Sequence, residues 1–129
     1  MQNLRNTEII MQNDSNTTIA DLKRLVHEMC LRKGWGKEGV QNAQMVAMAM
    51  TVEMSELLEH FQWMNPQDVR RLLDGEDNER RDMIAEEFAD VLMFGLQLTR
   101  SLHIDITQQV LRKIDIVDHR PPKVRDSKR

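Results

Sequence analysis

Residues 42–62 read NAQMVAMAMTVEMSELLEHFQ, and this stretch decides the fold class. Its apolar residues recur at helical spacing and cover more than one face, which is typical of the central helix of a bundle. The methionines here belong to a chain total of 10, and they indicate adaptable core packing rather than a cofactor site. The stretch therefore predicts a long helix that other helices surround.

The same periodicity predicts further helices on both sides of this one. Glycine, proline and charged runs separate them. The predicted segments are a helix from Thr17 or Thr18 to about Lys33, a glycine-rich loop over 34–39, a short helix from Pro66 to Asp74, a charged turn over 76–82, a long helix to about Leu102 and a last helix from Ile106 to about Val117.

No alternating strand pattern of useful length interrupts these helices, so the prediction is an all-α bundle of four to five helices. At 129 residues it should be one domain. We expect this helical domain over residues 17–120, between a flexible N-terminal arm over 1–16 and a flexible basic tail over 121–129. The last helix is expected to bury Val110, Leu111, Ile114 and Val117.

Two acidic motifs carry the chemistry: Glu53-Met-Ser-Glu56, and Glu87-Phe-Ala-Asp90 on the next long helix. Residues three apart on a helix are neighbours, so each motif presents two carboxylates together. Glu53 and Glu87 also border the apolar stripes of their helices, where an ionised carboxylate is costly unless a positive charge compensates it. Oxygen ligands without His or Cys favour Mg²⁺, which suggests a phosphate substrate.

These acids have two other interpretations besides a magnesium site. One motif alone would be read as ordinary solvent-facing acids, and only the presence of two motifs beside apolar residues makes a metal site as plausible as that reading. A di-iron bundle would need paired Glu-x-x-His motifs, and His60 follows Glu56 by four residues rather than three.

Composition narrows the class of protein further. The net charge of −3 does not indicate a nucleic-acid binder. The single cysteine, Cys30, cannot form an internal disulfide and is expected to be a small core residue in a reducing compartment. No apolar run approaches the ~20 residues of a membrane span, so we expect a cytoplasmic protein with no membrane partner.

In these motifs and their surroundings, the chain resembles the MazG-like, all-α nucleoside triphosphate pyrophosphohydrolases over about residues 20–120. The stretches ELLEHFQW at 56–63, EEFADVL at 86–92 and LRKIDI at 111–116 look especially like the dCTP pyrophosphatase branch. In that family a Glu-x-x-Glu and a Glu-x-x-Asp motif bind Mg²⁺. The resemblance thus implies metal and catalytic roles for Glu53, Glu56, Glu87 and Asp90, with Mn²⁺ as a substitute ion.

The resemblance also implies a reaction: a nucleoside triphosphate is cleaved between its α and β phosphates, releasing a monophosphate and pyrophosphate. Glu56 is nominated to orient the attacking water, and the expected role of the enzyme is clearance of surplus or non-canonical deoxynucleotides, with dCTP or modified pyrimidine nucleotides as candidates. The residues expected to contact the substrate are Trp63 and Trp35 at the base, with Lys37 in the same loop as Trp35, Phe94 beside the pocket, and Lys113 and Arg120 at the phosphates.

The chain departs from the branch at Gln44-Met45, where an Arg-Asn pair is typical, and near its C-terminus. Val117 stands in place of an asparagine, and Arg120 meets Pro121-Pro122 rather than Tyr-Pro. These changes leave open a non-catalytic module that binds nucleotide or protein, and a purely structural bundle. Apolar residues on several faces of short helices also predict a homo-oligomer, with a tetramer favoured by the resemblance and a dimer as the alternative.

Overall fold

The computed structural model describes residues 11–123 of the chain, and within them it contains helices and no extended strand. The only ladder contact there is an isolated bridge between Lys37 and Val40. The predicted all-α class is confirmed. The helices are α1 (Ile19–Lys33), α2 (Ala43–Glu59), α3 (Pro66–Leu73), α4 (Asn78–Ser101) and α5 (Ile106–Asp118).

Local capping explains where most of these helices begin. Thr18 and Asp21 form a reciprocal capping box at the start of α1, and Asn65 and Asp68 form another at the start of α3. Asn42 caps α2 through its side chain. Each cap satisfies backbone N–H groups that have no partner within the helix, so these boundaries agree with the sequence prediction.

The start of α4 differs from its prediction. Residues 76–82 were expected to form a charged turn, but Asp77 accepts a hydrogen bond from the Arg80 N–H at 3.3 Å and α4 begins at Asn78. Charged side chains favour solvent without excluding a helix, and an aspartate at the N-cap starts one. The first turn of α4 is therefore ordered.

Helices α2 and α4 form an antiparallel pair that contains the centre of the fold. Gln41 donates to Gln97 at 2.7 Å near one end of the pair, and Arg80 donates to the His60 carbonyl at 3.1 Å near the other. Helix α1 runs alongside α4, with the Lys23 ammonium donating to the Ile104 carbonyl. The pairing fixes the register that brings the two acidic motifs level.

The fully buried core is small. Among the described residues its apolar members are Cys30, Val46, Val91 and Leu96. The expected core position of Cys30 is confirmed, and burial raises the pKa of its thiol. Large apolar side chains also remain at the surface, and Met45, Met48 and Val52 of α2 are 56–62% exposed.

The prediction that α5 buries its apolar face is wrong for the single chain. Val110, Leu111, Ile114 and Val117 are each 50–60% exposed, and α5 makes only sparse contacts with the other helices. An amphipathic pattern specifies which face of a helix is apolar and not which chain covers it. No helix within residues 11–123 is long and apolar enough to span a membrane.

Candidate metal centre and the adjoining cavity

The two acidic motifs meet across the α2–α4 pair. Glu53, Glu56 and Glu87 each present a carboxylate oxygen, and these three oxygens lie within 4.8 Å of one another. Glu53 and Glu56 come from successive turns of α2, and Glu87 faces them from α4. Three of the four acids singled out in the sequence therefore converge on one point.

Electrostatics around this point are unfavourable for ionised acids. Burial raises the pKa of Glu53 above its ordinary value, and the neighbouring carboxylates of Glu56, Asp90 and Glu87 raise it further. The pKa of Glu87 is raised by the same causes, and His60 partly offsets the shift. One oxygen of Glu53 and one of Glu87 (Oε2 in each) are buried without any hydrogen-bond partner. Among the described residues, none of Glu53, Glu56 and Glu87 has an ion pair with a basic side chain, so their charge is largely uncompensated.

Asp90 lies beside this trio rather than within it. It is exposed, and it is close enough to raise the pKa of both Glu53 and Glu87. One helical turn separates it from Glu87 on the same face of α4. The fourth acid of the predicted set is thus adjacent to the other three and exposed to solvent.

The arrangement fits a divalent cation with hard oxygen ligands. Magnesium accepts carboxylate oxygens at short distance and commonly keeps several waters, as an open and partly exposed site allows. The two unpartnered oxygens of Glu53 and Glu87 would gain the charge they lack. The observed chemistry of the donor set therefore agrees with Mg²⁺.

A cavity of about 370 Å³ opens next to the acids, where α2 ends. His60 and Trp63 form its wall on the α2 side, Asp68 and Arg71 line it from α3, and Arg80 lines it from α4. Trp63 is 85% exposed, so most of its ring surface is available to a ligand. The volume is within the range of ligand sites, about 300–1,000 Å³.

The α3 and α4 side of this cavity was missed in the sequence. Asp68 reads as a capping residue, and Asp77 and Arg80 fall in the segment that was expected to be a turn. The available signal was spacing: Arg80 precedes Glu87 by seven residues, two helical turns, and so lies on the same face of α4. A cleft between α1 and α4 encloses only about 20 Å³, room for about one water molecule.

The remaining predicted contacts do not line this cavity. Phe94 is partly buried on α4, one turn beyond Asp90. Trp35 is 44% exposed, and its backbone N–H donates to the Cys30 carbonyl at 3.0 Å, at the end of α1. Lys37 is exposed in the same loop, while Lys113 and Arg120 are exposed on or just after α5.

A Glu-x-x-Glu motif on α2 that faces a Glu-x-x-Asp motif on α4 defines a class of all-α protein. Comparison of the sequence with models of protein families gives the same class. Residues 48–122 match the model of the MazG-like family, a range that contains both motifs and α5. The chain belongs to the MazG-like family.

Similar proteins from several organisms share one description. The chain is 30% identical over 105 residues to "dCTP pyrophosphatase 1" of Mus musculus, and 30% identical over 105 residues to that of Homo sapiens. Each of these matches covers 81% of this chain and 59% of the relative. The protein of the same description from Bos taurus is 28% identical over 108 residues, 84% of this chain and 62% of the relative. The chain thus spans about three fifths of the length of these relatives.

Proposed function

We propose that this protein is a Mg²⁺-dependent nucleoside triphosphate pyrophosphohydrolase that cleaves the bond between the α and β phosphates. The single observation that carries the proposal is the convergence of Glu53, Glu56 and Glu87, with two buried oxygens left without a partner. A binding-only module gains nothing from such unneutralised acids, whereas a metal-dependent hydrolase requires them. Family membership supports the reaction class.

The residues have separable parts in this proposal. Glu53, Glu87 and Asp90 would hold the cation, and Glu56, the exposed member of the trio, would accept a hydrogen bond from the attacking water and orient it. When bound, Mg²⁺ supplies positive charge for the phosphate oxygens and lowers the pKa of a coordinated water. Mn²⁺ has similar ligand preferences and should substitute.

The nucleoside end of the substrate is assigned to Trp63. Its ring is 85% exposed and belongs to the turn after α2, four residues beyond the last helical residue, Glu59. Stacking of a base on an aromatic ring contributes about 1–3 kcal/mol and tolerates any base. The relatives described as dCTP pyrophosphatase 1 support dCTP as the substrate. We further propose modified pyrimidine deoxynucleotides as alternative substrates and clearance of the nucleotide pool as the role.

Assembly is the second part of the proposal. Large apolar side chains on two helices are open to solvent in the single chain, among them Met45 and Met48 of α2 and Val110 and Leu111 of α5. Exposed apolar surface of this kind is typical of a subunit interface, and we propose a homo-oligomer, with a tetramer favoured over a dimer.

The test is a panel of the common dNTPs and NTPs in Mg²⁺, with pyrophosphate and orthophosphate both measured, for the wild type and for Glu53→Gln. The expected result is release of pyrophosphate and monophosphate that the substitution abolishes. Release of orthophosphate alone would contradict cleavage between the α and β phosphates. Absence of turnover for every nucleotide would favour the non-catalytic binding module.

A further inference from the structure

The cavity beside Trp63 contains more than a stacking surface. Its wall from α3 and the start of α4 contributes charged groups of both signs, including Asp68, Asp77, Arg71 and Arg80. With Glu59, which also lines it, the cavity has three carboxylates against two guanidinium groups. A lining with no excess of positive charge suits a neutral ligand that has both hydrogen-bond donors and acceptors, such as a nucleobase, better than it suits a polyphosphate.

The cavity also lies where the base of a bound nucleotide would extend. His60 lines it and follows Glu56 by four residues, so the cavity wall begins about one helical turn beyond the acidic centre. From Glu56 the wall continues to His60, about 6 Å along the axis, and then to Trp63. A phosphate at the acids and a base on Trp63 would therefore belong to one molecule.

The two cavity arginines are not equivalent. Arg80 is already committed to the fold, because it donates to the His60 carbonyl at 3.1 Å and its Nε lies 3.6 Å from Asp77. Arg71 has only one ion pair, with Glu76 at 3.8 Å, and both side chains are about 60% exposed. Exposed pairs of this length contribute about 0–1 kcal/mol, so the guanidinium of Arg71 can turn to a ligand at little cost.

We propose that Arg71 of α3 is the residue that determines base preference, by a forked hydrogen bond to the edge of a base stacked on Trp63. An arginine fork matches two adjacent acceptors, and a neighbouring carboxylate matches a donor. Among the Watson–Crick edges only that of cytosine offers two adjacent acceptors, O2 and N3, followed by a donor, N4. Uracil alternates acceptor, donor and acceptor. This inference rests on the proposed function, because it requires a nucleotide at the acidic centre.

The chain offers a matched control for Arg71. Arg70 is its neighbour on α3 and is also exposed, but it does not line the cavity. The variants are Arg71→Gln, which removes the charge, Arg71→Lys, which keeps the charge without the fork, and Arg70→Gln. Thermal unfolding of Arg71→Gln and Arg70→Gln should be alike, because neither removes a strong contact.

The experiment measures dissociation constants of dCMP and dUMP for the full chain in Mg²⁺ by calorimetry. Wild type should bind dCMP more tightly than dUMP. Both Arg71 variants should shrink the ratio of the two constants at least fivefold, the lower end of the discrimination of a bidentate contact. Arg70→Gln should leave the ratio within twofold of wild type.

Three results would overturn the inference: equal binding of dCMP and dUMP by wild type, an unchanged ratio in Arg71→Gln, or an equal change in Arg70→Gln. Failure of the proposed function is distinguishable from each of these. It would appear as absent pyrophosphate release in the turnover panel, whereas this binding experiment reports on the base without requiring any reaction.

Discussion

The apolar face of α5 provides a direct test of assembly. Val110, Leu111, Ile114 and Val117 expose half or more of their surface, and the helix has 13 residues. Isolated helices shorter than about 12–15 residues are marginal in water, so α5 must owe its stability to packing. Since the other helices of the same chain cover it sparsely, we expect a second copy to cover it.

The perturbation is the double substitution Leu111→Ala and Ile114→Ala. Complete burial of a leucine or isoleucine contributes about 1.5–3 kcal/mol, and roughly half of each side chain is still uncovered, so each should contribute about 1 kcal/mol to an interface. Two residues in each of two copies then contribute about 4 kcal/mol. That loss raises the dissociation constant close to a thousandfold.

The assay is light scattering on a sizing column at micromolar concentration. Wild type should have four or two times the 15.2 kDa mass of the chain, and the double variant should shift toward that of the single chain. Alanine is the best helix former, so the shift cannot be attributed to lower helix propensity. Gln109→Ala, on the opposite face of α5 from Leu111 and Ile114, is the control and should assemble as wild type. A wild-type protein of 15.2 kDa would refute the reasoning, as would a double variant that assembles normally.

Three further predictions follow from the acids and the loop. Mg²⁺ should raise the unfolding temperature of wild type and of Glu86→Gln, which alters an exposed neighbour, but not that of Glu87→Gln. Because the pKa of Glu87 is raised, its protonated carboxyl favours folding, and this contribution is lost as pH rises through the raised pKa. Mg²⁺ binds the ionised carboxylate, so the Mg²⁺-induced rise in unfolding temperature should grow between about pH 5 and about pH 8. A rise that does not change with pH would contradict the site. Gly34→Ala should cost about 1–2 kcal/mol in urea unfolding because of its left-handed backbone. Gly36→Ala should cost more, since its Cβ would also lie 2.3 Å from the Val40 carbonyl oxygen; equal losses would show that the loop yields.

Much of the candidate site was predictable because it depends on short-range geometry. Spacing of three on a helix places Glu53 beside Glu56, and the apolar neighbours of Glu53 and Glu87 predicted that these two would be desolvated, as their unpartnered oxygens confirm. The register between α2 and α4 was not predictable in this way. It depends on side-chain packing between elements distant in sequence, and only the family resemblance anticipated that the two motifs would face each other.

The errors have an equally physical origin. The apolar stripe of α5 predicted burial, but hydrophobic periodicity is the same whether the covering surface belongs to the same chain or to another. The run of charged residues after Gly75 predicted a turn on its polarity alone, whereas Asp77 caps a helix that begins at the next residue. That second error concealed Arg80, and with it one wall of the cavity.

The acids and the small core occupy the same pair of helices, and this coincidence connects stability to function. The pair α2–α4 supplies Val46, Val91 and Leu96 to the buried core and also holds the unpaired oxygens of Glu53 and Glu87. A single chain therefore has little apolar burial to offset the free-energy cost of burying closely spaced carboxylates. A cation would remove the electrostatic cost and a second copy would add the missing burial. Metal binding and assembly should therefore stabilise the same helix pair. Mg²⁺ should restore part of the unfolding temperature that the double substitution Leu111→Ala and Ile114→Ala removes.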